Sequence, residues 1–221
     1  MSSVSAHDTH HPVPRMKSED RRESVLQAAT EVFGSYGYYG ATTDQVAKAA
    51  GVSQPYVVRM FGTKEKLFVE VVERAISRVI DAFRAVLASR HPDTTSFDDL
   101  ESALGAAYIN LVTDRGINMS LMQAFVQGHD PVIGAHAREG FLTIYRLLRD
   151  EAGFNPEQLR AFLAQGMLFN TLLAVSMPGE FGPDEAATEL ITATFGSQLD
   201  TVMHALEPKD QADRPVQADS R

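Results

Sequence analysis

From Ser18 onward apolar residues recur every three or four positions and nowhere alternate. A chain with that period is restricted to helices packed on helices. In the first stretch Val25, Leu26, Ala28, Ala29, Val32 and Phe33 make one buried stripe, and Gly37 and Gly40 are expected to stop the helix. Thr42 stands three residues before Gln45, the spacing of a capping box, and Val46, Ala47 and Ala50 supply the next apolar face. Gly51 ends that short helix; Ser53 can cap a third, with Pro55 in its first turn, where a missing N–H costs nothing. Lys64–Ser89 reads as one long amphipathic helix through Leu67, Val71, Ala75, Val79, Phe83 and Val86, broken at His91–Pro92. Further helices are expected over 97–113, 117–127, 132–152, 156–176 and 184–206. With no hairpin signal and no internal repeat, the expected class is all-α.

Composition excludes several functions. The 221 residues contain no cysteine, which rules out a disulfide framework, a thiolate zinc site and a cysteine nucleophile. No run of 18 apolar residues suggests a membrane span, and the first 22 residues lack the apolar centre of a secretory leader, so a cytoplasmic location is expected. Residues 1–17 and 208–221 are polar and read as disordered tails. His7, His10 and His11 in the first tail lack the preorganised geometry a metal site needs.

The net charge of −9 argues by itself against a polyanionic partner. Its distribution reverses the argument. Residues 1–70 hold eight Lys or Arg (Arg15, Lys17, Arg21, Arg22, Lys48, Arg59, Lys64, Lys66) against eight acidic residues, so the whole excess of acid lies further along. A polyanion can approach the first third and is repelled by the rest.

The stretch 42–61, TTDQVAKAAGVSQPYVVRMF, has the parts of a helix-turn-helix. Gly51 accepts the left-handed turn, Ala47 permits close crossing, and Val46, Val52 and Val57 fill the shared core. The second helix would enter a major groove. There Gln54 can bond adenine, Tyr56 offers a ring and a hydroxyl, and Arg59 can meet phosphate or guanine. Thr43 and Lys64, at the starts of two helices, can reach phosphate.

These elements, in register over about 60 residues, resemble the TetR family of one-component transcriptional regulators. The string VLQAATEVFGSYGYYGATTDQVAKAAGVSQPYVVRMFGTKEKLF holds the Phe-x-x-x-Gly end of the first helix, Thr-Thr-x-x-Val-Ala, Gly-Val-Ser and Phe-x-x-Lys-x-x-Leu. The resemblance implies a three-helix DNA-binding domain over 18–78 and a helical ligand-binding and dimerisation domain over 79–207. It also implies a palindromic double-stranded operator bound by a homodimer and released by a small effector. Carried over by position, Thr43, Gln54, Pro55, Tyr56, Arg59 and Lys64 are the implied DNA contacts. Val58 departs from the pattern, which usually has an aromatic there, and leaves the phosphate grip to Tyr56 or Arg59. Asp44 is a second oddity, a carboxylate that would repel phosphate unless it serves the helix N-terminus.

In the second domain 156–176 is apolar around most of its circumference and 184–206 over a broad arc. These last two long helices are therefore expected to pair with their mates across a two-fold axis. For an apolar effector the candidate contacts are Met119, Met122, Phe125, His129, His136, Tyr145, Phe169, Asn170 and Leu173, which combine deformable apolar surface with isolated polar groups. Enzyme motifs are absent, no cofactor is expected, and His136 with Glu139 makes at most two metal ligands. The expected function is a repressor released from DNA by a small, largely apolar effector, through a shift of the Lys64–Ser89 helix that changes the spacing of two reading heads. The competing reading is a helical protein–protein interaction module that does not bind DNA.

Overall fold

The computed structural model describes residues 18–91 and 96–206. Both polar tails, with the three N-terminal histidines, lie outside the described residues. The helices are α1 (Ser18–Gly40), α2 (Thr43–Ala49), α3 (Gln54–Phe61), α4 (Lys64–Ser89), α5 (Phe97–Val112), α6 (Arg115–Val126), α7 (Pro131–Asp150), α8 (Pro156–Ala174), α9 (Glu185–Phe195) and α10 (Leu199–Leu206). Short 3₁₀ turns follow α8 and α9. No strand occurs among the described residues, and none of their helices is long and apolar enough to cross a membrane.

Local chemistry sets most of these boundaries. The capping box of α2 forms: Gln45 N donates to Thr42 Oγ1 at 3.2 Å and Thr42 N to Gln45 Oε1 at 2.8 Å. Ser96 and Asp99 make a second box at the start of α5, and Asn155 and Gln158 a third at α8. Asp114 and Asp130 cap α6 and α7. Such caps satisfy N–H groups that the helix itself leaves without acceptors.

One expectation about helix ends holds and one is corrected. Regular helix breaks off in α1 at Gly37, whose φ of 66° and ψ of 174° are not helical; a last short turn runs on to Gly40, with Ala41 N donating to Gly37 O at 3.1 Å. The expected helix over 184–206 is two helices. Gly196 adopts φ 50°, a left-handed conformation that costs glycine little, and the chain turns there while Phe195 stacks on Phe169 with ring centroids 5.3 Å apart.

One apolar core runs from Val25 and Phe33 of α1, through Val46 and Val57 of the small helices, along α4 to Leu104 and Leu148. Phe33, Tyr38 and Phe68 cluster where α1 meets α4. The same junction carries two ion pairs, Arg22 with Glu70 and Arg74 with Glu23. A second apolar cluster joins α5, α8, α9 and α10 through Ile109, Phe169, Leu172, Ile191, Phe195 and Val202.

Candidate nucleic-acid interface and internal cavity

α2 and α3 are joined at Gly51, whose φ of 63° makes the left-handed turn expected of it. Val52 N closes the turn by donating to Ala47 O at 2.9 Å. Val46 and Val57 are wholly buried beneath the turn, so the outer residues of α3 are held by a fixed base. Pro55 lies in the first turn of α3; Ser53 is its N-cap residue but makes no side-chain capping bond.

The six sequence-implied DNA residues lie on α2, α3 and the first residue of α4. Pro55 and Arg59 are exposed; Thr43, Gln54, Tyr56 and Lys64 are half-buried. Two are paired with each other: Gln54 Nε2 donates to Thr43 Oγ1 at 3.2 Å. The Arg59 guanidinium sits over the Tyr56 ring, 5.2 Å from its centroid, so α3 presents a cation backed by an aromatic face. Val58 is exposed on the same helix. Asp44 forms an i, i+4 pair with Lys48 at 2.8 Å, which accounts for a carboxylate on this surface.

Lys64 has a structural position that the sequence did not disclose. Its ammonium lies 4.9 Å from the Tyr38 ring centroid and donates to Ala41 O at 3.3 Å and Tyr39 O at 3.5 Å. It therefore ties α4 to the carbonyls that precede α2. On the far side of the same knot Tyr38 N donates to Gln123 Oε1 of α6 at 3.4 Å.

Behind the head, α4 to α8 enclose a cavity of about 270 Å³. Val72, Ile76, Val79 and Phe83 contribute from α4, and Leu121, Ala124 and Phe125 from α6. Phe141 and Ile144 of α7 and Phe162, Leu163 and Met167 of α8 complete the apolar wall. Polar groups are few: Glu101, Tyr108, Gln165 and Asn170. The Tyr108 hydroxyl donates to Asn170 Oδ1 at 2.9 Å, and burial pushes its pKa up to about 12, so it remains a neutral donor. Gln165 Nε2 donates to Thr194 O at 2.9 Å, tying α8 to α9.

Of the nine effector candidates, Phe125, Phe169 and Asn170 lie on this wall. Met119 and Met122 are half-buried on α6 away from it, and His129 is exposed in the turn before α7. His136 Nδ1 faces Glu73 Oε1 at 2.8 Å, bridging α7 to α4, while Glu139 is held by Arg146 at 2.7 Å. That histidine and that glutamate thus serve separate contacts, and no group of three metal-ligating residues occurs among the described residues. Tyr145 lies beside the Arg149 guanidinium, 5.8 Å from its ring centroid. Leu173 faces a different hollow of about 210 Å³ with Asn118 and Pro178. Wall residues absent from the sequence reading include Glu101, Gly105 and Tyr108. Their i, i+4, i+7 spacing puts them on one face of α5, a signal the sequence did carry.

Residues 25–71 match the family described as bacterial regulatory proteins, tetR family. The span runs from α1 into α4 and includes the whole helix-turn-helix. The chain is 36% identical over 73 residues to the HTH-type transcriptional activator FasR of Mycolicibacterium smegmatis, a match covering 33% of each chain. It is 24% identical to the HTH-type transcriptional dual regulator CecR of Shigella flexneri over 90% of this chain and 99% of that one. Among solved structures it resembles a TetR-like regulator from Rhodococcus sp. RHA1, with TM-score 0.60 and 20% identity over 83% of this chain and 98% of the other. It also resembles the fatty acid degradation regulator FadR of Bacillus halodurans, with TM-score 0.57 and 14% identity over 83% and 96%. The match to FasR spans about a third of that relative, whereas the likeness to the solved structures extends across the cavity-bearing helices.

Proposed function

Because the chain belongs to the TetR family of transcriptional regulators, we propose that it is a cytoplasmic, homodimeric repressor of double-stranded DNA. In this reading a small, largely apolar effector in the α4–α8 cavity releases it from a palindromic operator. The head is residues 18–78 and the ligand-binding and dimerisation part 79–207. The observation that carries the reading is the double duty of α6. Leu121, Ala124 and Phe125 face the cavity, while Gly116 packs against Gly34 of α1 and Gln123 holds the bend at Tyr38. α4 is shared in the same way, with Phe83 on the cavity and Lys64 on the head. A ligand that spreads α4 from α6 therefore moves the head. It does so only if it prefers the spread state, and the loss of DNA follows because paired heads must sit about 34–36 Å apart to meet successive major grooves.

Dimerisation through α8 and α9 is supported by what those helices leave uncovered. Ala161 and Ala164 of α8, Val175 at the end of that helix, and Ala186, Leu190 and Ala193 of α9 are exposed beside a well-packed inner face. Small outward residues let helices of two subunits approach closely in a four-helix arrangement.

The test is fluorescence anisotropy on the DNA upstream of the chain's own coding sequence against a scrambled fragment, over a salt series. Tight, salt-sensitive binding with a large specificity ratio is expected. Absence of binding even at low salt would favour the protein-interaction module. On the same DNA, Gln54→Ala is expected to relax preference at one base position, costing about 1–3 kcal/mol there. Equal losses on both fragments would remove Gln54 from the base-reading set.

A further inference from the structure

Among the described residues the cavity wall carries one charged group: Glu101 lies on it, and no lysine, arginine or histidine of those residues does. Among the described residues nothing forms a hydrogen bond or ion pair with the Glu101 carboxylate. One turn along the same face Gly105 leaves the space beside it open, with no heavy atom within 4 Å of where a Cβ would stand. The walls opposite include Phe83, Phe125, Phe141 and Phe162, whose ring faces carry partial negative charge.

We infer that this cavity selects apolar cations, lipophilic amines or quaternary ammonium compounds, and rejects apolar carboxylates. The inference rests on the proposed effector role of the cavity and names the chemical class of the effector. An ammonium group in this space meets a carboxylate that none of the described residues pairs, and aromatic rings whose faces attract cations. A carboxylate ligand in the same space meets only repulsion from Glu101, with no cation to replace the water it gives up. Neutral ligands fall between, held by apolar contact and by the amides of Gln165 and Asn170. The acidic balance of the residues beyond 70 adds a general attraction in the same direction.

Three molecules of one skeleton separate these cases: 4-phenylbutylamine, 4-phenylbutanol and 4-phenylbutyrate. Each is titrated into the full-length protein carrying the neutral fluorescent dye N-phenyl-1-naphthylamine, and dye displacement is read at pH 7. The amine is expected to displace the dye at a concentration about tenfold below the alcohol, and the carboxylate about tenfold above it, a factor of ten per step being ordinary for one charged contact. Glu101→Gln should bring the amine to the level of the alcohol and leave the alcohol within about twofold. A carboxylate that binds as tightly as the amine, or an amine advantage that survives Glu101→Gln, overturns the ligand class. Gly105→Leu, which fills the open space on α5, tests the underlying reading. If the native protein fails to bind dye, or if Gly105→Leu with native helical circular dichroism binds it undiminished, the cavity is not the effector site and both proposals fall together.

Discussion

Phe68→Ala is expected to unfold the reading head at temperatures the native chain tolerates. The Phe68 ring is wholly buried, meets Phe33 edge-on with centroids 4.8 Å apart, and lies 4.9 Å from Tyr38. These three rings are the joint by which α1 grips α4. Removing Phe68 leaves a hole bounded by two rings that α1 holds in place, so the site has little freedom to collapse. Buried Phe→Ala changes of this kind cost about 3–5 kcal/mol. For a chain of this size each kcal/mol lowers the midpoint by roughly 2–4 °C, so a fall of roughly 6–20 °C is expected by scanning calorimetry. Specific DNA binding should be lost in parallel, since α2 and α3 rest on the same core. A variant that keeps native operator affinity and loses less than about 1 kcal/mol would show that the head does not depend on this aromatic joint.

The second large effect lies where head and cavity meet. A Cβ on Gly34 would stand 2.8 Å from Gly116 Cα and 3.5 Å from Arg115 O. Both are backbone atoms of α6, which have no rotamer to change, so Gly34→Val must push α1 and α6 apart. Overpacking of this order costs about 1–3 kcal/mol, but the functional consequence is larger. The displaced head imitates the state that an effector would produce. Operator affinity without any ligand is expected to fall at least about tenfold, while N-phenyl-1-naphthylamine binding in the cavity is retained or tightened, since a ligand that prefers the displaced state gains by linkage. Anisotropy and dye titration on the same preparation measure both. Unchanged operator affinity would remove the α1–α6 contact from the coupling route and leave α4 to carry it alone.

The helix-turn-helix was legible because its signals act over a few residues. Thr42 and Gln45 cap each other across three positions, Gly51 serves its own turn, and Val46 and Val57 repeat at helical spacing. The same locality made the starts of α4 and α8 readable to the residue. It failed at Gly196, where helical periodicity continues across a turn and only the stacking of Phe195 on Phe169 shows which way the chain goes. Polar partners were also out of reach. That Gln54 bonds Thr43, that His136 faces Glu73, and that Lys64 caps the carbonyls before α2 depend on contacts between residues 11, 63 and 23 positions apart.

The sequence by itself determined that this chain is helical, where its helix-turn-helix lies and which part of it carries the excess of acid, because each follows from spacing along one helix or from summed charge. Only the tertiary structure decided that α4 to α8 leave a space between them, that Glu101 stands on its wall, and that α6 joins that space to α1. A cavity belongs to no single helix. It is set by how five helices cross and by which side chains fail to fill the gap, and neither is written in the period of any one of them.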